Sequence, residues 1–342
     1  MSTLHDVARL AGVSFNTVSN VINDHPHVSA KTRAKVRAAI DELGYQPNLA
    51  ARSLRSGRSG IIGLLVPDLS LAYFAQLAAE VIRAAELRGQ IVLIEQTGGN
   101  REKELAVLRS PRLQLTDGLL FSPLGLGIDD AALVDIPTPL VLLGERIFNG
   151  PVDHVTMQNV EAARAATQHL IDKGRRRIAV VGAHEGEVIG SAGLRLKGYR
   201  EALDAASIPF DDSLVAYMGS WHRANGADAT RKLLASGVAF DGLFAMNDEL
   251  ALGSMRVLQE QGKVIPDDVA IIGFDDVDEG SFSLPSLSTV DPGRREIANM
   301  AVNVLLERIA EKTERGPGEK PPRAHPRELL SAFRIVERES SG

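Results

Sequence analysis

The hydrophobic and polar positions of this 342-residue chain follow two different patterns. Up to about residue 60, apolar residues recur at helical spacing in three short stretches. Beyond that point, short apolar runs alternate with longer amphipathic stretches in two successive series. The first pattern predicts an all-α head. The second predicts an α/β body made of two doubly wound parallel-sheet subdomains.

The order of elements in the body also predicts where a ligand binds. Strands are predicted at 61–66, 91–94, 118–121 and 140–143, then at 178–181, 214–217, 243–246 and 269–273. Helices are predicted at 73–88, 102–109 and 129–134, then at 160–173, 194–205, 223–235 and 248–261. Because loops at the carboxyl ends of parallel strands converge, we expect the ligand in the cleft between the two subdomains.

The head is predicted to contain a helix-turn-helix. Thr3 and Asp6 make a capping-box pattern at the start of the first helix, which Gly12 ends in a tight turn. Ser14 is placed to cap the second helix and Ser29 the third. Two helices joined by a short turn that contains glycine are typical of this motif.

The second helix carries side chains that suit a DNA reader. With Val18, Val21 and Ile22 facing inward, its other face is expected to be exposed. An asparagine can form two hydrogen bonds with adenine, and an aromatic ring can pack on a thymine methyl group. A plain three-helix bundle with one exposed aromatic ring is the alternative interpretation. The residues expected on the exposed face are Phe15, Asn16, Ser19 and Asn20.

The charge of the chain is divided in the same way. The formal net charge of −6 argues against nucleic-acid binding, but residues 1–60 hold eight basic and four acidic residues, so the head carries +4 and the remainder −10. The chain has no cysteine, which excludes disulfides and thiolate metal sites. Its start lacks a signal-peptide pattern, and no apolar run approaches membrane-spanning length. We therefore expect a cytoplasmic, nucleoid-associated protein.

The head resembles a known family. The stretch TLHDVARLAGVSFNTVSNVINDHPHVSAKTRAKVRAAIDELGYQPNLAARSLRSG is similar to the DNA-binding head of the LacI family, which includes the lactose and purine repressors. The resemblance implies that Phe15, Asn16 and Asn20 read bases, and that Thr17 and Ser19 contact phosphates. The other DNA contacts that it implies are Thr3, Leu4, Ser14, Asn23, His27, Ser29, Thr32, Asn48, Ala51 and Leu54.

Two parts of the head need separate comment. Many members have arginine where this chain has Asn20, and since arginine suits guanine whereas asparagine suits adenine, the base preference there is expected to differ. Residues 47–54 resemble the family's hinge helix, which is too short to be stable alone. The resemblance implies that it folds against its copy on the minor groove, with Leu54 wedged between base pairs. A plain linker is the alternative.

The body resembles periplasmic sugar-binding proteins, as the family's body does. The expected domains are 1–46 for the helix-turn-helix, 47–60 for the hinge helix and linker, and 61–342 for ligand binding and dimerisation. Within the body, an N-subdomain of about 61–158 plus 291–318 and a C-subdomain of about 159–290 plus 319–342 are expected. The implied ligand-binding residues are Asp68, Tyr73, Phe74, Thr97, Arg146, Ser191, Arg195, Trp221, Asn247 and Asp275.

The chemistry of these residues favours a sugar. Arginine and aspartate can bond to adjacent hydroxyls, and an indole can stack on a sugar ring. In the plainer interpretation, the tryptophan belongs to the core and Asn247 only caps a helix. Gly144 stands where some members have an acidic ligand residue, and Met157-Gln158-Asn159 replaces a common Asp-Asn pattern. Tyr73-Phe74 resembles the purine-responsive member, so a purine is the alternative ligand.

Together these features predict a ligand-responsive transcriptional repressor. We expect it to bind a pseudo-palindromic operator as a homodimer, and to change its DNA affinity when a small molecule occupies the cleft. A co-repressor response is equally compatible. The rivals are a regulator that responds to a purine or other metabolite, a sugar-binding receptor without gene control, and an enzyme on the same fold. Since the chain shows no catalytic, metal-binding or cofactor-binding motif, we expect no enzyme activity, metal, cofactor or membrane partner.

Overall fold

The computed structural model describes residues 2–22, 25–45, 58–313 and 325–342. The chain divides into two compact units, Met1–Ser59 and Gly60–Gly342. Within the described ranges, no helix is both long and apolar enough to cross a membrane.

The first unit is the predicted three-helix head. Its helices are α1 (Leu4–Ala11), α2 (Phe15–Ile22) and α3 (Ala30–Leu43). The capping box is confirmed, because Asp6 N donates to Thr3 Oγ1 and Thr3 N donates to the Asp6 carboxylate. Gly12 ends α1 with a φ of 65°, a left-handed conformation that glycine adopts without strain. The inward faces of the three helices, with Tyr45 after the last one, form a small core. Its residues are Val7, Ala8, Val18, Val21, Val36, Ala39 and Tyr45.

The second unit begins with a six-stranded sheet. Its strands are β1 (Ile61–Val66), β2 (Ile91–Gln96), β3 (Gly118–Phe121), β4 (Leu140–Leu143), β5 (Asp153–Met157) and β11 (Glu328–Ser331). All are parallel, in the spatial order β11-β5-β4-β3-β1-β2. The helices α4 (Ala72–Glu86), α5 (Arg101–Leu108) and α11 (Arg294–Thr313) and the 3-10 turns Pro111–Leu115 and Ile128–Val134 complete what we call the first lobe.

A four-stranded sheet forms the second lobe. Its strands are β6 (Ile178–Ala183), β7 (Val215–Tyr217), β8 (Gly242–Ala245) and β9 (Ala270–Ile272), parallel and in the order β7-β6-β8-β9. Its helices are α6 (Asn159–Asp172), α7 (Ser191–Ala205), α8 (Arg223–Ala235), α9 (Asp248–Glu260) and α10 (Asp278–Ser281), with 3-10 turns Asp212–Leu214 and Glu339–Ser341. A short antiparallel pair, β10 (Thr289–Asp291) and β12 (Arg334–Val336), accompanies the crossings between the lobes.

The strands of the first lobe are buried on both faces. Along β4, Val141 and Leu143 join the large core, whereas Leu140 and Leu142 join a second cluster on the opposite face. Successive side chains of a strand point to opposite faces, so a strand with layers on both sides needs an unbroken apolar run. The edge strands β2 and β11 differ, since half or more of their residues are exposed.

The structure confirms the predicted fold class and corrects one boundary. The 319–342 segment was expected in the C-subdomain, but residues 328–331 form β11 beside β5, with Glu328 opposite His154. The last crossing to the second lobe therefore follows Ser331. The prediction missed β5, α11 and the short strands β10–β12, and residues 129–134 form a 3-10 turn rather than an α-helix.

A buried ion pair joins the segments that cross between the lobes. Asp153 at the start of β5 is buried and accepts hydrogen bonds from Arg308 Nη2 (2.9 Å) and from the backbone N of Arg327 (2.8 Å). Burial alone would raise the pKa of Asp153, but the hydrogen bonds from Arg308 and Arg327 outweigh it and lower the pKa. The charged carboxylate thus ties β5 to α11 and to the chain that leads into β11.

Replacing this carboxylate should destabilise the body. We expect Asp153→Asn to lower the free energy of unfolding by about 3 kcal/mol near neutral pH, because Arg308 and Arg327 lose the buried carboxylate and keep only the more exposed Glu311 and Glu307. A carboxyl whose folded pKa is lowered contributes stability above its unfolded pKa and loses it as the pH falls through the folded pKa. Urea unfolding should therefore show the difference between the variant and wild type shrinking towards pH 3.

The matched control is Asp228→Asn, which removes an exposed pair with Arg231 on α8. Exposed pairs contribute little, so this variant should unfold much like wild type at every pH. A loss for Asp153→Asn that is the same at pH 7 and pH 3 would contradict the electrostatic origin.

Candidate ligand cleft and DNA-binding head

A cavity of about 480 Å³ lies between the two lobes, at the carboxyl ends of their strands. Its first wall comes from loops that follow β1, β2, β3 and β4, and its second from the loops and helix starts that follow β6, β7, β8 and β9. This volume is in the range of sites that enclose a small molecule. The predicted position of the ligand site is therefore matched by a real cavity.

Arg195 on α7 lies at the centre of the second wall and is 3% exposed. Its Nε donates to Asn159 Oδ1 at 2.8 Å, and Nη1 donates to the carbonyl of Met246. The guanidinium carbon lies 3.6 Å from the centroid of the Phe274 ring, and Nη2 lies 3.7 Å from Asp275 Oδ1. Because these contacts come from several elements, the guanidinium is held in one orientation towards the cavity.

Trp221 and Asn247 form a second fixed group on this wall. Trp221 Nε1 donates to the carbonyl of Gly182 at 2.8 Å, and Asn247 Nδ2 donates to the carbonyl of Trp221 at 3.2 Å. Asn247 Oδ1 accepts from Leu250 N, so this residue also caps α9. Asn247 therefore caps the helix, as in the plainer interpretation, and it also fixes the tryptophan loop and lines the cavity.

Asp275 lies on a strained loop. Asp275 and Asp276 have φ angles of 114° and 50°, which cost non-glycine residues about 1–3 kcal/mol each. The loop is held by buried Asp248, which accepts hydrogen bonds from Thr289 Oγ1 (2.6 Å) and Val277 N (2.9 Å). Strain of this kind persists where the surroundings fix the backbone, and here it points the Asp275 carboxyl towards Arg195.

The Asp275 carboxyl titrates near neutral pH. Burial raises its pKa to about 7, the charges of Glu145 and Glu249 add to that effect, and Arg195 and Arg294 oppose it. The cavity therefore holds a carboxyl whose burial favours its protonated form.

Glu145 provides an acidic side chain next to Gly144, the position where some family members have an acidic ligand residue. Gly144 has a φ of 89°, and an acidic side chain there would be strained. The next residue, Glu145, is buried instead and accepts a hydrogen bond from Ser191 Oγ at 2.6 Å. Glu145 follows β4 and Ser191 begins α7, so this hydrogen bond crosses the cleft.

Charged contacts also cross the cleft on either side of the Glu145–Ser191 bond. Arg146 Nη1 lies 3.3 Å from Glu187 Oε2, and His184 Nδ1 lies 2.8 Å from the same oxygen. Burial opposes ionisation of Glu187, but the hydrogen bond from His184 and the charges of both neighbours lower its pKa. On the other side, His222 Nε2 lies 3.7 Å from Asp68 Oδ2. The two lobes are therefore bridged by polar groups that a ligand could contact.

Nine of the ten predicted ligand-binding residues line this cavity. The exception is Thr97, which is buried and donates to the carbonyl of Val66, while its neighbours Gly98 and Gly99 line the wall. Sequence reasoning missed several lining residues, although most follow a predicted strand or precede a predicted helix, as the identified ones do. These are Ser122, His184, Glu187, His222 and Glu249.

The predicted base-reading helix is α2, and two of the four residues expected on its outer face are exposed. These are Asn16 and Asn20, whereas Ser19 is half-buried. Phe15 is also half-buried, because its ring packs against His5, with the ring centroids 4.9 Å apart. Ser14 caps α2, since Thr17 N donates to its Oγ at 3.2 Å.

Of the remaining predicted DNA contacts, Thr17 lies in the first turn of α2 with its Oγ1 2.8 Å from Ser14 Oγ, and most of the others lie at helix starts or outside the described residues. Thr3 and Ser29 cap α1 and α3, and Thr32 pairs with Ser29 Oγ. His27 is exposed, and Leu4 is half-buried against the head core. Helix N-termini carry unpaired N–H groups that suit phosphate, which agrees with the proposed role of the caps. The residues outside the described ranges are Asn23, Asn48, Ala51 and Leu54.

Known proteins share both parts of this chain. Residues 3–48 match the model for bacterial regulatory proteins of the lacI family, and residues 167–341 match a periplasmic binding protein-like domain. The Ribose operon repressor of Escherichia coli (strain K12) is 34% identical over 315 residues, 92% of this chain and 94% of the relative. The structure of a LacI-family protein from Sanguibacter keddieii has 54% identity and a TM-score of 0.75, covering 83% of this chain and 99% of that one. The lac repressor dimer bound to operator and the anti-inducer ONPF has 28% identity and a TM-score of 0.80 over 99% of both chains.

A helix-turn-helix head followed by a two-lobed body with a polar cavity defines a regulator that binds DNA and responds to a small molecule. The chain belongs to the lacI family of bacterial regulatory proteins and is a ligand-responsive DNA-binding repressor, as the sequence predicted. Among the described residues, no group of three or more histidine or acidic side chains is arranged to hold a metal ion.

The raised pKa of Asp275 generates a stability prediction. Between pH 3.8, the ordinary pKa of an aspartate, and about pH 7, the folded state keeps a proton that the unfolded state releases. The stability that this group contributes therefore falls as the pH rises through that window. We expect Asp275→Asn, which cannot ionise, to raise the free energy of unfolding of the unliganded protein by about 2–4 kcal/mol at pH 8 and by little at pH 4. Urea unfolding at several pH values measures this.

The exposed Asp278 on α10 offers the control, because Asp278→Asn should unfold like wild type at both pH values. If Asp275→Asn is destabilised at pH 8, the carboxylate is needed by the fold and the argument from burial is wrong.

Proposed function

We propose that the protein is a repressor whose effector is a sugar and whose DNA-binding form is a homodimer on a pseudo-palindromic operator. The observation that carries the sugar assignment is the buried pair of Arg195 and Asp275 beside Trp221 in an enclosed cavity. A guanidinium and a carboxylate side by side can bond adjacent hydroxyls, and an indole can cover the apolar face of a pyranose or furanose ring.

Two relatives support this proposal by what their names state. One is a repressor of a ribose operon, and the other is a repressor dimer bound to its operator. For this chain, the exposed Asn16 and Asn20 on α2 are the groups placed to read bases in the major groove. Each half of a twofold protein requires a matching half of the DNA site.

The response to the effector follows from the two lobes. A ligand that bonds to both walls favours one relative placement of the lobes, and it shifts the equilibrium only by its difference in affinity between the placements. The proposed hinge, residues 47–54, lies outside the described residues. Because an isolated helix of that length is unstable, its formation depends on how the two bodies present it. We assign no catalytic role to the cleft.

A purine effector is the second candidate, favoured by one observation. Tyr73 and Phe74 line the cavity as an edge-to-face pair, with ring centroids 5.2 Å apart. A flat base can stack between aromatic side chains. Burial, with the nearby charges of Asp275 and Glu145, raises the pKa of Tyr73, so its hydroxyl remains a hydrogen-bond donor.

Trp221 is the single tryptophan of the chain, so its fluorescence reports on the cleft. We expect titration with a cognate sugar, drawn from common pentoses, hexoses and disaccharides, to change the emission of the full-length protein. Arg195→Ala should weaken that binding at least tenfold, because hydrogen bonds to a charged group contribute about 1.5–3 kcal/mol. The same sugar should change affinity for a duplex that the protein selects from a random DNA pool.

Trp221→Phe provides the control for the signal, since it should abolish the emission change while calorimetry still detects the sugar. Binding of hypoxanthine or guanine but of no sugar would overturn the sugar assignment in favour of the purine. Selection of duplexes without twofold symmetry would contradict the dimer on a palindromic operator.

We propose that dimerisation uses two apolar surfaces. Phe282 and Leu284, which follow α10 in the second lobe, are 89% and 83% exposed. On the first lobe, Ile91 and Leu93 are exposed on the edge strand β2. Exposed apolar patches and open strand edges mark sites of association. A second copy of the chain is the partner that the proposed twofold operator requires.

Disrupting the second-lobe surface should separate the subunits. We expect Phe282→Asp to convert the dimer into monomers at about micromolar concentration, and to lower operator affinity by about 100-fold because the two heads no longer bind as a linked pair. Analytical ultracentrifugation and gel-shift titration measure the two effects. Val264→Asp, at another exposed apolar position of the same lobe, should leave both unchanged. A dimeric Phe282→Asp protein would exclude this surface.

A further inference from the structure

Glu145 is a buried carboxylate without a cation beside it. It is 7% exposed, and it accepts hydrogen bonds from Ser191 Oγ (2.6 Å) and Thr156 Oγ1 (3.4 Å). In the part of the chain that the structure describes, no lysine, arginine or histidine forms an ion pair with it. A carboxylate can accept about four hydrogen bonds. With two hydroxyl donors, Glu145 can therefore accept further hydrogen bonds from the cavity side.

Acidic side chains outnumber basic ones in the cavity wall. The wall contains five carboxyl groups, two guanidiniums, those of Arg146 and Arg195, and two histidines, His184 and His222. Arg146 is paired with Glu187, and Arg195 is bonded to Asn159 and the Met246 carbonyl beside Asp275. Both guanidiniums already face a carboxyl group of the wall, so neither adds net positive charge for an anionic ligand. The five carboxylates belong to Asp68, Glu145, Glu187, Glu249 and Asp275.

His184 has an unpartnered ring nitrogen in the cavity wall. Its Nδ1 lies 2.8 Å from Glu187 Oε2, and since a carboxylate only accepts, Nδ1 must carry the proton of this bond. Its Nε2 is buried with no hydrogen-bond partner among the described residues, and so is the Nε of Arg146, which is a donor. Together with the unused acceptor capacity of Glu145, these atoms suit hydroxyl groups, which both donate and accept hydrogen bonds.

We propose that Glu145 is a specificity-determining residue that receives hydroxyl donors of the effector, and that the cavity takes an unphosphorylated sugar and rejects sugar phosphates and other anions. This inference rests on the proposed sugar effector and narrows it. A phosphate group is negatively charged and accepts hydrogen bonds, so it is repelled by a wall that already contains acidic side chains. Burying it there would leave charges of one sign unpaired, which is far more costly than burying a hydroxyl.

Calorimetry on the full-length protein with matched pairs of probes tests the proposal. The pairs are D-ribose with D-ribose 5-phosphate, D-glucose with D-glucose 6-phosphate, and D-galactose with D-galactose 1-phosphate, with hypoxanthine and guanine as the purine probes. We expect a free sugar to bind and its phosphate to bind about 100-fold more weakly or not at all. Glu145→Gln should weaken the free sugar about tenfold and reduce the discrimination against its phosphate.

Glutamine keeps the size of the side chain and an acceptor for Ser191, so circular dichroism melting should show Glu145→Gln folded. Glu86→Gln, on the exposed end of α4, removes a charge outside the cavity and should change neither affinity. Equal binding of a sugar and its phosphate, or unchanged affinities in Glu145→Gln, would overturn this inference while leaving the sugar site intact. Binding of a purine and of no sugar, or of no probe at all, would instead overturn the sugar effector and the inference with it.

Discussion

The buried guanidinium of Arg195 is the interaction on which the ligand cleft depends. It reaches from α7 to the start of α6, to the carbonyl of Met246 after β8, and to Phe274 after β9. A charge that is 3% exposed is stable only with partners on several sides, so it fixes the relative positions of the elements that provide them. The same requirement explains why the strained Asp275 loop is held so firmly by Asp248, since displacement of that loop would remove the carboxylate that faces Arg195.

Local patterns predicted most of the fold, and they failed where tertiary contacts decide the structure. The caps of Thr3, Ser14 and Ser29 and the turn at Gly12 depend on neighbours a few residues away, so they can be read from the sequence. Strand β5 begins with Asp153 and His154, which are buried only because Arg308, Arg327 and Gly144 bond to them. Strand β11 pairs with β5 across more than 170 residues. No local periodicity carries that information, and the boundary at 319 was misplaced for this reason.

The location of the cleft was predicted by a rule of position, that residues after parallel strands meet at one edge, and its residues were implied by the resemblance to the family. That rule works for Asp68, Arg146, Trp221 and Asp275, because loops are short and their backbone direction is fixed by the strand. It does not say which side chain of a loop turns inward. Thr97 turns towards Val66, while Gly98 and Gly99 form the wall. At Gly144 the left-handed backbone disfavours a side chain, and the acidic group in this part of the wall belongs to the next residue, Glu145.

The balance of charge connects the two ends of the molecule. Acidic residues outnumber basic ones in the body, and several of them line its cavity, where their charge opposes an anionic ligand. The head has a net charge of +4, which favours binding to DNA phosphates. An acidic body also repels the phosphate backbone, so non-specific contact with DNA is confined to the head. Among the carboxyl groups of the cavity, burial raises the pKa of Asp275, whereas hydrogen bonds outweigh burial and lower the pKa values of Asp68 and Glu187. The charge of Asp275 is therefore opposed by its burial between the lobes. A ligand that hydrogen-bonds to this carboxyl and to the opposite wall would favour the placement of the lobes in which both walls are within reach.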